Sequence, residues 1–394
     1  MKFIEDVDIK GKKVFIRVDF NVPMKNCEVS DDTRIKAGIE TIEYALENNA
    51  VVVLASHLGR PKSQEDKQFS MKPVAERLSL LLKKEVKTAP DCIGSDVENM
   101  IDSASPGDII MLENLRFYKD EKEDNPEFAE KLAGLCDVYV NNAFAVCHRK
   151  NASVSKITEY SKEVCAGHLL KNELETYNNA VNNPKRPLAA VIGGAKVSSK
   201  LNALKNIMNK VDSVFIGGAM ANTFFAAKGY SIGDSLYEKE MINAAKDLIK
   251  MSEENNVKLF LPVDGIIAEK CDEKAKPHVS GVENVPQGFQ ILDIGPETEK
   301  YFKKELENAA TIVWNGPMGV FELDKFAHGT FSMAENIAFS DAYTVIGGGD
   351  TDAAVHKAGF AEKIDYISTG GGAFLTLMEG KPLPAVQALE SVYL

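Results

Sequence analysis

Cysteine is scarce in this sequence and shows no pairing pattern. The six thiols (Cys27, Cys92, Cys136, Cys147, Cys165 and Cys271) form no C-x-x-C, so neither a disulfide framework nor a zinc site is suggested. Long apolar runs are missing too. Runs such as 50–55 fall far short of the roughly 20 residues a membrane helix needs. The acidic segment 1–10 has neither the basic nor the apolar region of a secretory signal. Basic residues are outnumbered, 46 Lys and Arg against 58 Asp and Glu for a net charge of -12, which disfavours unspecific attraction to nucleic acid or an anionic membrane. A cytoplasmic chain is expected, in which an anionic ligand must meet a local basic patch. What remains is ordinary globular composition, 44% hydrophobic and 26% charged over 394 residues, more than one core usually fills.

Short β-branched runs alternate with longer amphipathic stretches, the pattern of βαβ units. Strands are expected at 14–18, 51–55, 109–112 and 138–140, then at 188–192, 213–216, 258–262, 311–314, 343–346 and 366–368. Helix-like stretches such as 35–48, 72–84 and 126–135 lie between them. Continuous apolar strands joined by helices imply parallel sheets covered on both faces. The expected fold class is therefore α/β, as two Rossmann-like three-layer αβα domains. A helix over 173–181, stopped by Asn182, Asn183, Pro184 and Pro187, marks the boundary. The expected division is a first domain over 1–171, an interdomain helix and hinge at 172–187 and a second domain over 188–377.

Ligands of open parallel sheets bind beyond the carboxyl ends of the strands, and there the two halves differ. The first half carries Asp19, Asn21, His57, Arg60, Asn114, Arg116, Asn141, His148 and Arg149; the second carries Gly193-Gly194-Ala195-Lys196, Gly217-Gly218, Asn315-Gly316-Pro317-Met318-Gly319, Gly347-Gly348-Gly349-Asp350-Thr351 and Gly370-Gly371-Gly372. Arginine is rare, at 17, 34, 60, 77, 116, 149 and 186. Several rare guanidinium forks at converging strand ends suit a small, multiply anionic ligand, although any one of them could pair with a surface carboxylate. His57 and His148 fit a core or a surface position equally well. Glycine clusters suit phosphate from the other direction, since bare backbone N–H groups can approach an anion closely. Asp350 is placed where a carboxylate could hold Mg²⁺ against phosphates and Lys196 where an ammonium could reach a transferring group; a helix cap and a solvated lysine account for them as well. No G-x-x-x-x-G-K-[ST] occurs, and no G-x-G-x-x-G with an acidic residue about 20 positions on, which counts against a P-loop enzyme and against a dinucleotide-dependent oxidoreductase.

In order along nearly the whole chain, Arg17-Val18-Asp19-Phe20-Asn21-Val22-Pro23, Ser56-His57-Leu58-Gly59-Arg60-Pro61, Glu113-Asn114-Leu115-Arg116-Phe117, Gly193-Gly194-Ala195-Lys196-Val197, Trp314-Asn315-Gly316-Pro317, Gly319-Val320-Phe321-Glu322, Gly347-Gly348-Gly349-Asp350-Thr351 and Ser368-Thr369-Gly370-Gly371-Gly372-Ala373 resemble phosphoglycerate kinases. The resemblance implies reversible phosphoryl transfer between 1,3-bisphosphoglycerate and MgADP, giving 3-phosphoglycerate and ATP, in a cleft closed by hinge bending. It further implies a monomer whose tail, 378–394, packs back on the first domain. Carried over by motif, Asp19, Phe20, Asn21, Arg34, His57, Leu58, Gly59, Arg60, Arg116 and Arg149 would hold the phosphoglycerate. Gly194, Lys196, Lys200, Gly217, Gly218, Asn315, Pro317, Glu322, Gly348, Gly349, Asp350 and Thr351 would hold ATP or ADP, with Asp350 on Mg²⁺. Arg34, Lys196, Gly348 and Gly349 would meet the transferring phosphoryl group.

Several positions depart from the family pattern. Asn142 stands where Asp is common, Ala145, Val146 and Cys147 where Gly-Thr-Ala is, and Asn151 where His is. Likewise Ser199 replaces Asp, Ala219 a third glycine, Ile291 a glycine and Phe374 a serine. Those near Arg149 bear on its geometry, and Ala219 and Ile291 on the adenine pocket. A protein that kept the fold as a binding module without the chemistry would be expected to have lost Lys196, Arg34 or Asp350, and all three are present.

Overall fold

Unbroken runs of Val, Ile and Ala form the middle of each sheet because a strand covered by helices on both faces exposes neither row of side chains to water. The computed structural model describes residues 1–393 and divides into two units, residues 1–174 with the described residues from Pro382 onward, and Glu175–Lys381. In the first, a parallel sheet runs in the order Lys87–Thr88, Ile109–Met111, Val51–Ala55, Lys13–Val18, Val138–Asn142, Val164–Ala166. Its register sets Arg17 opposite Ala55 and Asn141, so the carboxyl ends of the central strands finish level. The helix Thr33–Glu47 buries Ile35, Gly38, Thr41, Ile42 and Ala45, the helical spacing that puts one stripe on the sheet. Gly38 is required there, since a Cβ would lie 2.9 Å from the ring of Phe20. The tail returns as the helix Pro384–Ser391, where Ala385 N–H donates to the Cys147 carbonyl at 3.2 Å and the Tyr393 hydroxyl donates to the Val164 carbonyl.

In the second unit the parallel order is Lys258–Phe260, Ser213–Ile216, Leu188–Ile192, Thr311–Asn315, Tyr343–Ile346, Tyr366–Ile367. Trp314, Phe215 and Phe302 are fully buried in its core. Beside it stands an antiparallel sheet, His278–Gly281, Asp264–Ala268, Gln290–Ile294, which hydrophobic runs do not reveal because the His278–Gly281 strand exposes most of its residues. The helix expected over 173–181 instead begins at His168 and ends at Tyr177, followed by a π turn over Asn178–Asn182. Its start is fixed by distant partners: His168 N–H donates to Thr41 Oγ1 and Leu169 N–H to Asn142 Oδ1. These supply the acceptors that a first helical turn lacks.

Candidate functional site

At the carboxyl ends of the first sheet, Asp19 is held by Arg34, and its buried Oδ1 is left without a hydrogen-bond partner. Arg34 Nη1 donates to its Oδ2 at 2.5 Å, and His57 Nδ1 stands 3.4 Å from its Oδ1. Asn21 Oδ1 accepts from Gly59 N–H at 2.8 Å, and Arg116 Nη1 donates to the Gly59 carbonyl at 2.8 Å. Buried Asn114 fixes the same turn, accepting from Leu58 N–H and donating to the Leu58 and Phe69 carbonyls. The turn therefore presents Arg60, which is exposed. Gly59 is needed for its positive φ of 60°. The side chains of Phe20 and Leu58 lie in the hydrophobic core, and their backbone N–H groups donate to Ser56 Oγ and Asn114 Oδ1.

Charge in this cluster is strongly one-sided. Burial, then the guanidiniums of Arg17, Arg116, Arg149 and Arg34, hold His57 well below the ordinary histidine range, so it is a neutral imidazole. Burial and the neighbouring Arg149 and Arg17 push Arg116 down to about 10, which leaves it ionised at neutral pH. Arg149 is exposed and donates through Nε to His148 Nε2 at 3.1 Å; burial and that same guanidinium lower His148. Arg17 and Arg34 have carboxylate partners, and the guanidiniums of Arg60, Arg116 and Arg149 give the strand ends a surplus of positive charge that suits a multiply charged anion.

One arginine that the sequence places among these is internal. Arg17 is 1% exposed, donates from Nε to Ser153 Oγ at 2.7 Å, and sets Nη2 3.8 Å from Glu121 Oε1 and 3.4 Å from His57 Nδ1. Glu121, equally buried, accepts from both the N–H and the hydroxyl of Ser153. Sequence gives no sign of it, because Glu121 sits in the charged run 119–124, which reads as solvated surface. Two departures from the family pattern pack beside this network. Asn151 is buried and donates from Nδ2 to the Glu121 carbonyl at 2.9 Å, and Cys147 is buried with its thiol pushed up to about 12 by desolvation.

The second unit builds its strand ends from backbone. Buried Trp314 donates its indole N–H to the Gly316 carbonyl at 2.7 Å, Gly316 N–H donates to Thr351 Oγ1 at 2.7 Å, and the N–H groups of Met318 and Gly319 donate to Thr330 Oγ1. Lys200 Nζ donates to the carbonyl and to Oδ1 of Asn315, at 2.9 and 2.5 Å, while Asn315 Nδ2 donates to the Gly347 carbonyl. Asn315 and Thr351 thus shape the loop with side chains that are already engaged. Gly348 has φ 106° and precedes the helix Gly349–Ala358. A Cβ on Gly371, which begins the helix Gly371–Met378, would lie 3.3 Å from Gly349 N. Two helix N-termini with unpaired N–H groups therefore meet at one place, a ready anion site.

Lys196 is exposed on the loop after the strand Leu188–Ile192, and at the paired helix starts stand Asp350, which is exposed, and Lys200, which burial pushes down to about 8 against the opposing pull of Asp350. A cavity of about 390 Å³ continues from there, lined among others by Gly194, Gly218, Pro317, Glu322 and Asp350. Both Ala219 and Ile291 belong to that lining. Gly217 also abuts Met318 of the lining. Phe374 instead is buried, edge-on to Tyr177 and against Gly347.

The family model described as phosphoglycerate kinase matches residues 4–381. Curated phosphoglycerate kinases of Geotalea uraniireducens and Aquifex aeolicus are 53% and 49% identical to the chain, each over 99% of it and 98% of their own length. Among solved structures, phosphoglycerate kinase from Coxiella burnetii superposes with a TM-score of 0.89 at 43% identity, covering 99% of this chain and 98% of its own. The enzyme from Pyrococcus horikoshii gives 0.86 at 34% identity, over 100% and 99%.

Proposed function

The chain belongs to the phosphoglycerate kinase family, and we propose that its two strand-end clusters divide the substrates between them, the arginine cluster taking the phosphoglycerate and the glycine cluster the nucleotide. The family's reaction is the glycolytic transfer of a phosphoryl group between 1,3-bisphosphoglycerate and ADP, giving 3-phosphoglycerate and ATP. The observation that carries the division is the contrast in chemistry. Arg17, Arg34, Arg116 and Arg149 lie near a neutral His57 in one unit, whereas two helix N-termini converge on bare glycine backbone beside Lys200 and Asp350 in the other.

Phosphoryl transfer asks little covalent chemistry of a protein; it asks for in-line positioning, neutralisation of the moving charge and exclusion of water. Asp19, Asn21, His57, Arg60, Arg116 and Arg149 orient the three-carbon acid and its phosphate. Arg34, fixed by Asp19, Lys196 and the N–H groups at Gly348 and Gly349 neutralise the transferring group, so no side chain acts as a covalent nucleophile. Mg²⁺ fits Asp350, because this ion is usually held by one or two carboxylates together with substrate phosphates. Bound there, it would neutralise phosphate charge. We read the chain as a monomeric cytoplasmic enzyme of small molecules; its net charge of -12 disfavours unspecific binding to nucleic acid or an anionic membrane, and no helix among the described residues is long and apolar enough to cross a membrane.

The test is ATP consumption by the purified chain with 3-phosphoglycerate and Mg²⁺, the acyl phosphate trapped by hydroxylamine and each component omitted in turn. Turnover that needs all three is expected. Binding of both substrates without turnover would leave a binding protein.

A further inference from the structure

The 390 Å³ cavity of the Glu175–Lys381 unit is lined by a buried polar side chain with an unused hydrogen-bonding atom. Most polar side chains in its lining are occupied. Asp264 accepts from Glu297 N–H, Thr298 N–H and the Thr298 hydroxyl, and Asp293 accepts from Ile294 N–H and Gly329 N–H. Glu322 and Asp350 are exposed and solvated. Asn222, on the helix Met220–Ala227, is 1% exposed. Its Nδ2 donates at 3.0 Å to the carbonyl of Leu236, another lining residue. A carbonyl can only accept, so the orientation of the amide is fixed and Oδ1 is left as an acceptor. Among the described residues, Asn222 Oδ1 is the one buried side-chain oxygen or nitrogen of this lining without a hydrogen-bond partner. An unsatisfied buried acceptor is costly, and a ligand that brings a donor relieves the cost.

We propose that Asn222 is a specificity-determining residue, its Oδ1 accepting a hydrogen bond from the exocyclic amino group of adenine. This rests on the reading that the cavity takes the nucleotide. Ring faces find apolar surface in Ala219, Ile291, Leu292 and Val320 of the same lining, while the edge of the base is read by Asn222. A nucleotide lacking the 6-amino group leaves the oxygen unpaired, and that loss falls on affinity rather than on the chemical step.

Calorimetry with ADP and with purine riboside 5′-diphosphate, which lacks only that amino group, tests the proposal. The wild-type chain should bind ADP about fivefold tighter, the size of one neutral hydrogen bond. Asn222→Leu should bind the two alike, to within about a factor of two on the same scale. Equal binding by the wild type, or a preference kept by Asn222→Leu, overturns the role of Asn222. If Asn222→Leu fails to fold, the wild-type pair alone decides. Ala195→Trp fills the cavity from an exposed lining position and should abolish ADP binding. Unchanged ADP binding in that variant would instead overturn the cavity as the nucleotide site, a failure distinct from equal binding of the two nucleotides.

Discussion

The two units solve the same electrostatic problem with different materials. Strand ends of the first present guanidiniums, Arg34 held by Asp19 and Arg116 by the Gly59 carbonyl, with the Arg116 backbone N–H donating to Asn114; those of the second expose peptide N–H groups at paired helix starts. Guanidinium carries a full charge and can match a fixed carboxylate or phosphate bidentately. Backbone N–H groups carry fractional charge and need close approach, so they tolerate no side chain in the way. Arginine receptors should therefore fail by loss of charge, and glycine cradles by gain of bulk.

Lys196 breaks that symmetry, being a charged side chain in the glycine unit, and so gives the largest effect. Lys196→Ala is expected to lower kcat by about a thousandfold with nucleotide KM changed little, because a group that meets the charge of the transition state acts there and not in the ground state. Steady-state kinetics in both directions checks this, and an unchanged kcat would remove the lysine from the reaction. Next comes the internal support of the arginine cluster. Glu121→Ala leaves Arg17 buried without its counter-charge, which should cost about 3–5 kcal/mol of unfolding free energy, read by denaturant titration. A loss under about 1 kcal/mol would mean that the pair contributes no more than an exposed one.

Smaller effects separate bulk from charge. Nothing lies within 4 Å of a Cβ placed on Gly349, so Gly349→Ala should keep its Tm while nucleotide KM rises about tenfold, a price of some 1.4 kcal/mol for blocking phosphate approach. Arg149→Ala should raise phosphoglycerate KM by a similar factor of about ten with nucleotide KM unmoved. Were Gly349→Ala harmless, the cradle would lie elsewhere; were Arg149→Ala to act on the nucleotide, the division of substrates would be wrong.

The fold class was legible because parallel strands are apolar throughout, and the strand ends because glycine and rare arginine stand out against that background. Segments set by distant partners were not legible. The start of the helix at His168 depends on Thr41 and Asn142, more than a hundred and about twenty-five positions away in sequence, respectively. Glu121 looks like any residue of a charged run until it is seen under Arg17. Asn222 stands within the apolar run 219–227, and only its unpaired oxygen in three dimensions distinguishes it from a packed polar residue. The antiparallel strand His278–Gly281 carries no apolar alternation to read.

Lys200 gives the smallest effect and the one with a sign in pH. Burial pushes it down to about 8 although Asp350 pulls the other way, so its charge is present at pH 7 and fades as pH rises through that value. If it faces the phosphates, ADP affinity should fall about threefold to tenfold between pH 7 and 9, the size of one charge-assisted contact. Phosphoglycerate affinity should stay flat there, because Arg116 remains charged up to about 10. Stability of the ligand-free chain should move oppositely. An unfolded lysine keeps its proton to about 10.4, so between that value and about 8 the unfolded state binds more protons and stability rises with pH. Calorimetric titration across this window in wild type and Lys200→Arg, whose charge does not titrate there, distinguishes the two effects. A wild-type ADP affinity as flat as the variant's would assign Lys200 to holding Asn315 alone, leaving the glycine cradle with backbone as its sole phosphate receptor beside Lys196.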